Sequence, residues 1–312
     1  MHPAPPTPLD QFIGCLVGLS LGDALGAPFE GMPSDVVFRE FGPIRQLVEN
    51  FPVETLTYTD DTEMTIAVAQ TLLDDKAIDP ARLAVQFEKH YNPARGYGPG
   101  AQRILDTMRQ GQDWEPLATS LFPGGSLGNG AAMRVAPIAL AFHHNRPQLL
   151  EQARLSALPT HRHPIGIEAA QITALAIAHV LTHHEFTHEL FFADLQASAK
   201  TDELNYALKI ASQLTPQDSL WTLGNSLEAH RSVPTAITCF ALNPDSYLDA
   251  VSTAVALGGD TDTLAAITGA ISGAHLGISA IPDHLLARFE NGEKGLNHIK
   301  SLAQHLFQNC HP

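Results

Sequence analysis

Two stripes of glycine set the tightest limit on how this chain can fold. Gly14, Gly18, Gly22 and Gly26 recur every fourth residue through an apolar segment, and Gly269, Gly273 and Gly277 repeat the pattern near the other end. Residues four apart share one face of an α-helix, so each segment is expected to be a helix with one face bare of side chains. A glycine inside a helix costs about 1 kcal/mol relative to alanine. Close approach of another helix to the bare face is the usual offset. The spacing puts both helices at the centre of the fold, packed either on each other or each on a different bulky neighbour. No formally charged residue stands between Asp262 and Asp283. That stretch is nevertheless rich in Gly, Ser, Thr and Ala and contains His275, which reads as a buried core helix and not as a membrane span.

Apolar residues elsewhere also recur mainly at helical spacing. Periodicity and breakers predict helices over 10–25, 62–74, 80–90, 99–110, 131–143, 147–157, 164–183, 187–199, 203–213, 232–242, 246–257, 263–278 and 283–290. Pro and Gly cluster between them, as in Phe122-Pro123-Gly124-Gly125 and Asn243-Pro244. The best alternating run, Ile44 to Val48, makes a poor strand. At 312 residues the chain can bury roughly three quarters of its unfolded surface and needs no disulfide or metal to hold a core. Length alone, at about 150 residues per domain, would suggest two domains. No linker, composition shift or fixed-period repeat divides it. The expectation is one all-α domain over residues 10–312 behind a short disordered lead-in at 1–9. That lead-in has neither a basic nor an apolar segment of a signal peptide.

Charge narrows the partners. Lys and Arg number 18 against 33 Asp and Glu, so the formal charge is 18 − 33 = −15. Such a surface repels a nucleic-acid backbone or an anionic membrane, though not a small anion held in a local pocket. Cys15, Cys239 and Cys310 are odd in number, scattered and without a C-x-x-C pair, which argues against a disulfide framework or zinc knuckle and for a reducing, cytoplasmic setting.

The chemistry concentrates in two oxygen-rich segments. Thr59-Asp60-Asp61-Thr62-Glu63 precedes the apolar run from Ile66, and Gly258-Gly259-Asp260-Thr261-Asp262-Thr263 precedes the run from Leu264. Each puts carboxylates and hydroxyls at a helix N-terminus, where capping alone could explain either one. Together, four aspartates exceed what two caps need. Converging carboxylates would repel by about 4 kcal/mol per pair at 4 Å and an effective dielectric near 20, so convergence would demand cations. Oxygen ligands without Cys or His select Mg²⁺, Mn²⁺ or Ca²⁺ over Zn²⁺. Gly124-Gly125-Ser126-Leu127-Gly128-Asn129-Gly130 feeds a helix start and could offer backbone N–H groups to an anion. It matches neither the P-loop nor the dinucleotide fingerprint. Thr160-His161-Arg162-His163 stands before another helix, where a cap is the plain explanation.

In these residues the chain resembles the ADP-ribosylglycohydrolase family, whose founding member reactivates ADP-ribosylated dinitrogen reductase. The matching segments stand in family order: Gly14 to Gly18, then Gly22-Asp23-Ala24-Leu25-Gly26-Ala27-Pro28-Phe29-Glu30 and Tyr58 to Thr62. Arg95-Gly96-Tyr97-Gly98, Gly125 to Arg134, Thr160-His161, Ser232 to Ala236 and Gly258 to Thr263 complete the set. The resemblance runs from about Phe12 to Ile281. It implies an all-α fold with two divalent cations, Mg²⁺ or Mn²⁺, in a central cleft. Thr59, Asp60 and Asp61 would bind them from one side and Asp260, Asp262 and Thr263 from the other. Glu30, with Asp61, would be the catalytic pair. Ser126, Gly128, Asn129 and the loop containing Gly98 and Gly100 would hold diphosphate and ribose. His161 would line the cleft, and Phe122 could stack on adenine, although a core aromatic is the plainer reading.

The implied reaction is hydrolysis of the C1″ bond between ADP-ribose and an acceptor on a protein or small molecule. Such hydrolysis passes through an oxocarbenium-like state helped by acid and base groups. Leu127 departs from the serine-directed branch, which often carries an aromatic there, whereas Arg95 to Gly100 looks more like that branch than the arginine-directed one. The competing readings are a two-metal phosphoester hydrolase acting on a nucleotide and a non-catalytic ADP-ribose-binding or crystallin-like relative. A monomer is expected.

Overall fold

A computed structural model describes residues 5–49, 54–183, 185–216 and 218–310, and these form eighteen α-helices. Helices α1 (Pro8–Gly26), α2 (Ser34–Phe41) and α3 (Ile44–Glu49) come first, followed by α4 (Asp60–Asp75), α5 (Pro80–His90), α6 (Pro99–Arg109) and α7 (Trp114–Ser120). The middle of the chain holds α8 (Gly130–Met133), α9 (Ala136–Phe142), α10 (Arg146–Ala157), α11 (Pro164–Thr182), α12 (His188–Gln196) and α13 (Asp202–Ala211). The last third holds α14 (Ala229–Ala241), α15 (Tyr247–Ala256), α16 (Thr261–Leu276), α17 (Asp283–Leu286) and α18 (Leu296–Cys310). Isolated β-bridges aside, no strand occurs among the described residues. The fold is all-α.

The glycine stripes face each other. Gly14 lies on Gly273, Gly18 on Gly269, Gly22 on Ala265 and Gly26 on Thr261, so α1 and α16 run antiparallel with their backbones in contact. A methyl group at any of the four α1 glycines would collide with the carbonyl oxygen of its opposite number. Of the two arrangements open to the sequence, mutual packing is the one adopted. Hydrogen bonds that span the contact reinforce it. Tyr247 donates its hydroxyl to Gly18 O at 2.8 Å, Thr261 Oγ1 donates to Gly26 O at 2.8 Å, and Gln11 Nε2 donates to Ala274 O at 2.9 Å. Helices α4, α11, α14, α15 and α18 surround the pair. Phe12 of α1 meets Phe307 of α18 edge to face at 5.3 Å.

Several boundaries differ from the sequence expectation. The first helix starts at Pro8, capped by a reciprocal Thr7–Asp10 pair, so the lead-in is shorter than residues 1–9. Residues 1–4 lie outside the described residues. The segment 131–143 is two helices, because Pro137 has no N–H to continue the first into the second. Ile44 to Val48 is helical. The predicted 283–290 helix ends at Leu286. Helices α2, α7 and α18 were missed, although Ile299, Leu302, Ala303 and Leu306 recur at helical spacing and are buried. Pro8–Phe29 and Pro164–Thr182 are long and apolar enough to cross a membrane, yet both are mostly enclosed by the fold.

Candidate active site

The antiparallel register sets the site. Because Gly26 ends α1 against Thr261 at the start of α16, the chain leaving α1 passes beside the second acidic segment. Backbone hydrogen bonds stitch the two loops: Gly31 N–H to Gly259 O at 2.7 Å and Gly259 N–H to Met32 O at 2.9 Å. Gly258 and Gly259 take the left-handed conformation, with φ of 65° and 73°, and a side chain at either would strike the facing backbone. Asn225 secures the turn by donating to Leu257 O at 2.9 Å and Gly258 O at 3.0 Å, while its own carbonyl accepts from Asp260 N–H. As a result, carboxylate oxygens of Glu30, Asp260 and Asp262 lie within 4.8 Å of one another.

The first acidic segment is brought in by Asp23, which in the sequence is marked only by its place in the Gly22–Glu30 segment. Its buried carboxylate accepts from Thr59 N–H at 3.0 Å, Thr59 Oγ1 at 2.8 Å, Thr62 N–H at 3.1 Å and Thr62 Oγ1 at 2.6 Å. These bonds pin the N-terminus of α4 to α1 and turn Asp60 and Asp61 toward α16. Thr59 is therefore engaged with Asp23 and with Asp61 N–H, and is not among the residues that line the cleft.

Every carboxyl in this group is held above its ordinary range. Burial is the first cause in each case. Asp262 is pushed up to about 8, with Asp260 adding repulsion, and Asp23 to about 7, where the threonine hydrogen bonds work against the rise. Asp60 and Asp61 are raised well above the usual value by burial and then by Asp262 and Asp23. Glu30, at the exposed rim, is raised by partial desolvation and by Asp262. Asp61 Oδ1 is buried with no hydrogen-bond partner. An unpaired buried carboxylate oxygen among repelling neighbours is costly, and a divalent cation would relieve it. The donor set, all oxygen, fits Mg²⁺ or Mn²⁺.

These residues line one cleft of about 340 Å³, within the size range of small-molecule sites. Glu30, Asp60, Asp61, Asp260, Asp262 and Thr263 line it, and so do Gly98, Gly100, Phe122, Ser126, Gly128, Asn129 and His161. Of the residues singled out from sequence, only Thr59 is absent from the lining. Asn129 also braces the acidic group, its amide donating to Ser232 Oγ at 2.9 Å and to Asp260 Oδ2. Phe122 is partly exposed and its ring lies over Gly100, where a methyl would meet Cε2 at 2.8 Å. It is a rim residue and not a core aromatic.

Braces that sequence reasoning missed hold the glycine loop of residues 96–100. Glu63 accepts from Asn92 N–H at 2.7 Å and from the Tyr97 hydroxyl at 2.8 Å. Arg95 turns away from the cleft, forming a two-pronged pair with Glu290 at 2.6 and 2.8 Å and lying 3.8 Å over the Tyr58 ring. No local signal marks these long-range partners. A second cavity, of about 400 Å³, is lined by α10–α12 residues including Arg146, His179, His183 and Asp194. Its polar groups already satisfy one another, the Arg146 guanidinium and the His179 ring both bonding Asp194, so chemistry and not size distinguishes the first cleft.

A family model described as ADP-ribosylglycohydrolase matches residues 4–312. The chain belongs to the ADP-ribosylglycohydrolase family. It is 34% identical over 321 residues to "ADP-ribosylhydrolase ARH3" of Bos taurus, spanning 88% of this chain and 87% of that one. The Danio rerio protein of the same name is 32% identical over 346 residues, spanning 97% and 92%. A solved structure named "ADP-ribosylglycohydrolase-related protein complex" superposes with a TM-score of 0.77 at 26% identity, covering 97% of this chain and 99% of that one.

Proposed function

We propose that this chain is a metal-dependent ADP-ribosyl hydrolase that cleaves the C1″ glycosidic bond between ADP-ribose and an acceptor, releasing ADP-ribose. The observation that carries this reading is the approach of Glu30, Asp260 and Asp262 to within 4.8 Å, with Asp60 and Asp61 lining the same cleft. Asp60 and Asp61 on one side and Asp260, Asp262 and Thr263 on the other would hold two Mg²⁺ or Mn²⁺ ions, whereas Thr59, expected from sequence to join them, is held against Asp23 outside the lining. When bound, those ions neutralise the carboxylates and polarise ribose hydroxyls.

The chain's own groups then divide the work. Glu30 sits at the rim with a raised pKa, suited to taking a proton from the attacking water and returning one to the leaving group. Asp61, buried in the cleft with Oδ1 unpartnered, would complete the catalytic pair with Glu30. Ser126, Gly128, Asn129 and the loop of Gly98 and Gly100 surround the diphosphate, and Phe122 lies where it can stack on the adenine. Local neutralisation explains how a chain of net charge −15 accepts a dianionic diphosphate. Its substrates would be ADP-ribosylated proteins or small conjugates, and the scattered, unpaired Cys15, Cys239 and Cys310 support a reducing, cytoplasmic setting.

Calorimetric titration of ADP-ribose into Mg²⁺-loaded protein, repeated after chelation and with Asp260→Asn, tests the site. Micromolar binding lost in both controls supports the reading, and binding that survives both refutes metal-assisted recognition. Product analysis with an ADP-ribosylated peptide then decides the chemistry. Free ADP-ribose marks the glycosidase, whereas AMP would mark phosphoester hydrolysis and overturn the proposal.

A further inference from the structure

Arg134 is the largest side chain that the fold encloses completely, and among the described residues no carboxylate pairs with it. Its guanidinium lies 4.4 Å over the Phe87 ring. Nη2 donates to Ser156 O at 3.1 Å and to Thr160 Oγ1 at 2.8 Å, and Nη1 meets Met64 Sδ at 3.4 Å. The Asp60 carboxylate attracts it without forming a pair, and a cation buried this fully without direct pairing is costly. Such an arrangement calls for a use.

The use is legible in the next contact. Thr160 Oγ1 lies 2.7 Å from His161 Nδ1. Arg134 can only donate, so the Thr160 oxygen accepts from it. The Thr160 hydroxyl then has one proton of its own, and His161 Nδ1 is its one acceptor among the described residues. Were Nδ1 the protonated nitrogen, that buried hydroxyl proton would be stranded, which costs about 1–3 kcal/mol. The chain of bonds therefore runs Arg134 to Thr160 to Nδ1, leaving the proton of the neutral ring on Nε2. The adjacent guanidinium and burial both oppose an imidazolium, and the His161 pKa is lowered to about 3 by burial first and Arg134 second.

His161 lines the cleft, and its Nε2 lies beside Gly128 and Gly130, which line it too. Side chains at Gly128 or Gly130 would stand 3.4 Å and 3.3 Å from Nε2, and one at Gly166 would stand 3.4 Å from Cδ2. Glycine at these three positions keeps side chains off the ring edge. We propose that Arg134 and Thr160 are positioning residues that lock His161 in its neutral Nε2–H form, making it a fixed donor to an oxygen of bound ADP-ribose and removing it from proton transfer. This inference rests on the ADP-ribose reading for its ligand, while the tautomer itself does not.

The test combines ¹⁵N-histidine NMR of the full chain with calorimetry, using wild type, Thr160→Val and the conservative Thr160→Ser. In the ligand-free wild type, His161 should show a protonated Nε2 and a bare Nδ1 with no titration between pH 5 and 8. Thr160→Ser should keep that signature and bind ADP-ribose within about twofold of wild type. Thr160→Val should lose the single tautomer and bind about tenfold more weakly, the fold-change set by one hydrogen bond to a ligand oxygen. A protonated Nδ1 or an imidazolium in the wild type overturns the relay, with no variant needed. Unchanged affinity in folded Thr160→Val overturns the positioning role. If wild type binds no ADP-ribose, the proposed function and the donor assignment to that ligand fall together, and the tautomer is judged on its own spectrum.

Discussion

Substituting alanine for Gly18 sets two effects of opposite sign against each other. Helix propensity alone favours the substitution by about 1 kcal/mol. Packing opposes it, because the new methyl would overlap the carbonyl oxygen of Gly269 and lie 3.2 Å from the Tyr247 ring. To restore ordinary contact the two helices must part by on the order of 1 Å, since well-packed interiors leave no slack to absorb a methyl. Overpacking of this kind costs about 1–3 kcal/mol. Separation also stretches the buried 2.8 Å bond from the Tyr247 hydroxyl to Gly18 O, which adds about 1 kcal/mol. The loss is about 2–4 kcal/mol against a gain of about 1, so net destabilisation of about 1–3 kcal/mol is expected. Urea unfolding followed by circular dichroism at 222 nm measures it, with Gly292→Ala as control. A methyl at Gly292 meets nothing within 4 Å, and a change within about 0.5 kcal/mol is expected there. Gly18→Ala equal to or more stable than wild type would refute close helix contact as the reason for the stripe.

The remaining predictions concern the acidic cleft. Asp262 and Asp23, raised to about 8 and about 7, hold protons that the unfolded chain has released above pH 4. The metal-free fold therefore has its full share of stability from these groups below pH 4 and loses it as pH rises to 8. Mg²⁺ or Mn²⁺ held by Asp262 would displace its proton, so the rise in Tm on adding metal should be larger at pH 8 than at pH 5.5; an equal or smaller rise at pH 8 would contradict the assignment. Asp23→Asn keeps the shape but puts an amide donor among threonine donors, and should cost about 2–4 kcal/mol in urea unfolding at pH 8. Stability unchanged within error would show that Asp23 does not hold α4. Glu30→Gln should leave ADP-ribose affinity within about threefold and lower the hydrolysis rate about 10²- to 10⁴-fold, as expected for loss of a general acid–base group. Full activity in that variant would remove Glu30 from catalysis.

Local features of this chain were readable and distant ones were not, for a physical reason. Capping segments such as Thr59 to Glu63 and Gly258 to Thr263 declare themselves because carboxylates, hydroxyls and glycines crowd a helix start within six residues. The braces do not. Asp23 meets Thr59 and Thr62 across 36 and 39 positions, and Arg95 meets Glu290 across 195, so no window of sequence contains both partners. Arg134 is harder still. An arginine at the end of Ala131-Ala132-Met133-Arg134 looks like an ordinary basic residue ending a short helix, and only the packed structure shows it enclosed against Phe87 and Thr160.

The glycine stripes belong to both classes, and that links fold to chemistry. Their period is local and predicts helices with a bare face; their pairing is not local and has to be seen. Once paired, the antiparallel register leaves little freedom, because Gly26 against Thr261 brings the residues after α1 to the residues that open α16. Glu30 lies four positions beyond Gly26, and Asp262 one position beyond Thr261. A single-residue slip along the contact would drive a side chain into the facing backbone, so the same glycines that admit close packing also fix the approach of Glu30 to Asp260 and Asp262. Widening the contact at Gly22 or Gly26 should thus weaken metal binding more than a substitution at Gly14, which lies three helical turns from the cleft. Stability loss without that gradient would separate the packing of α1 on α16 from the geometry of the acidic site.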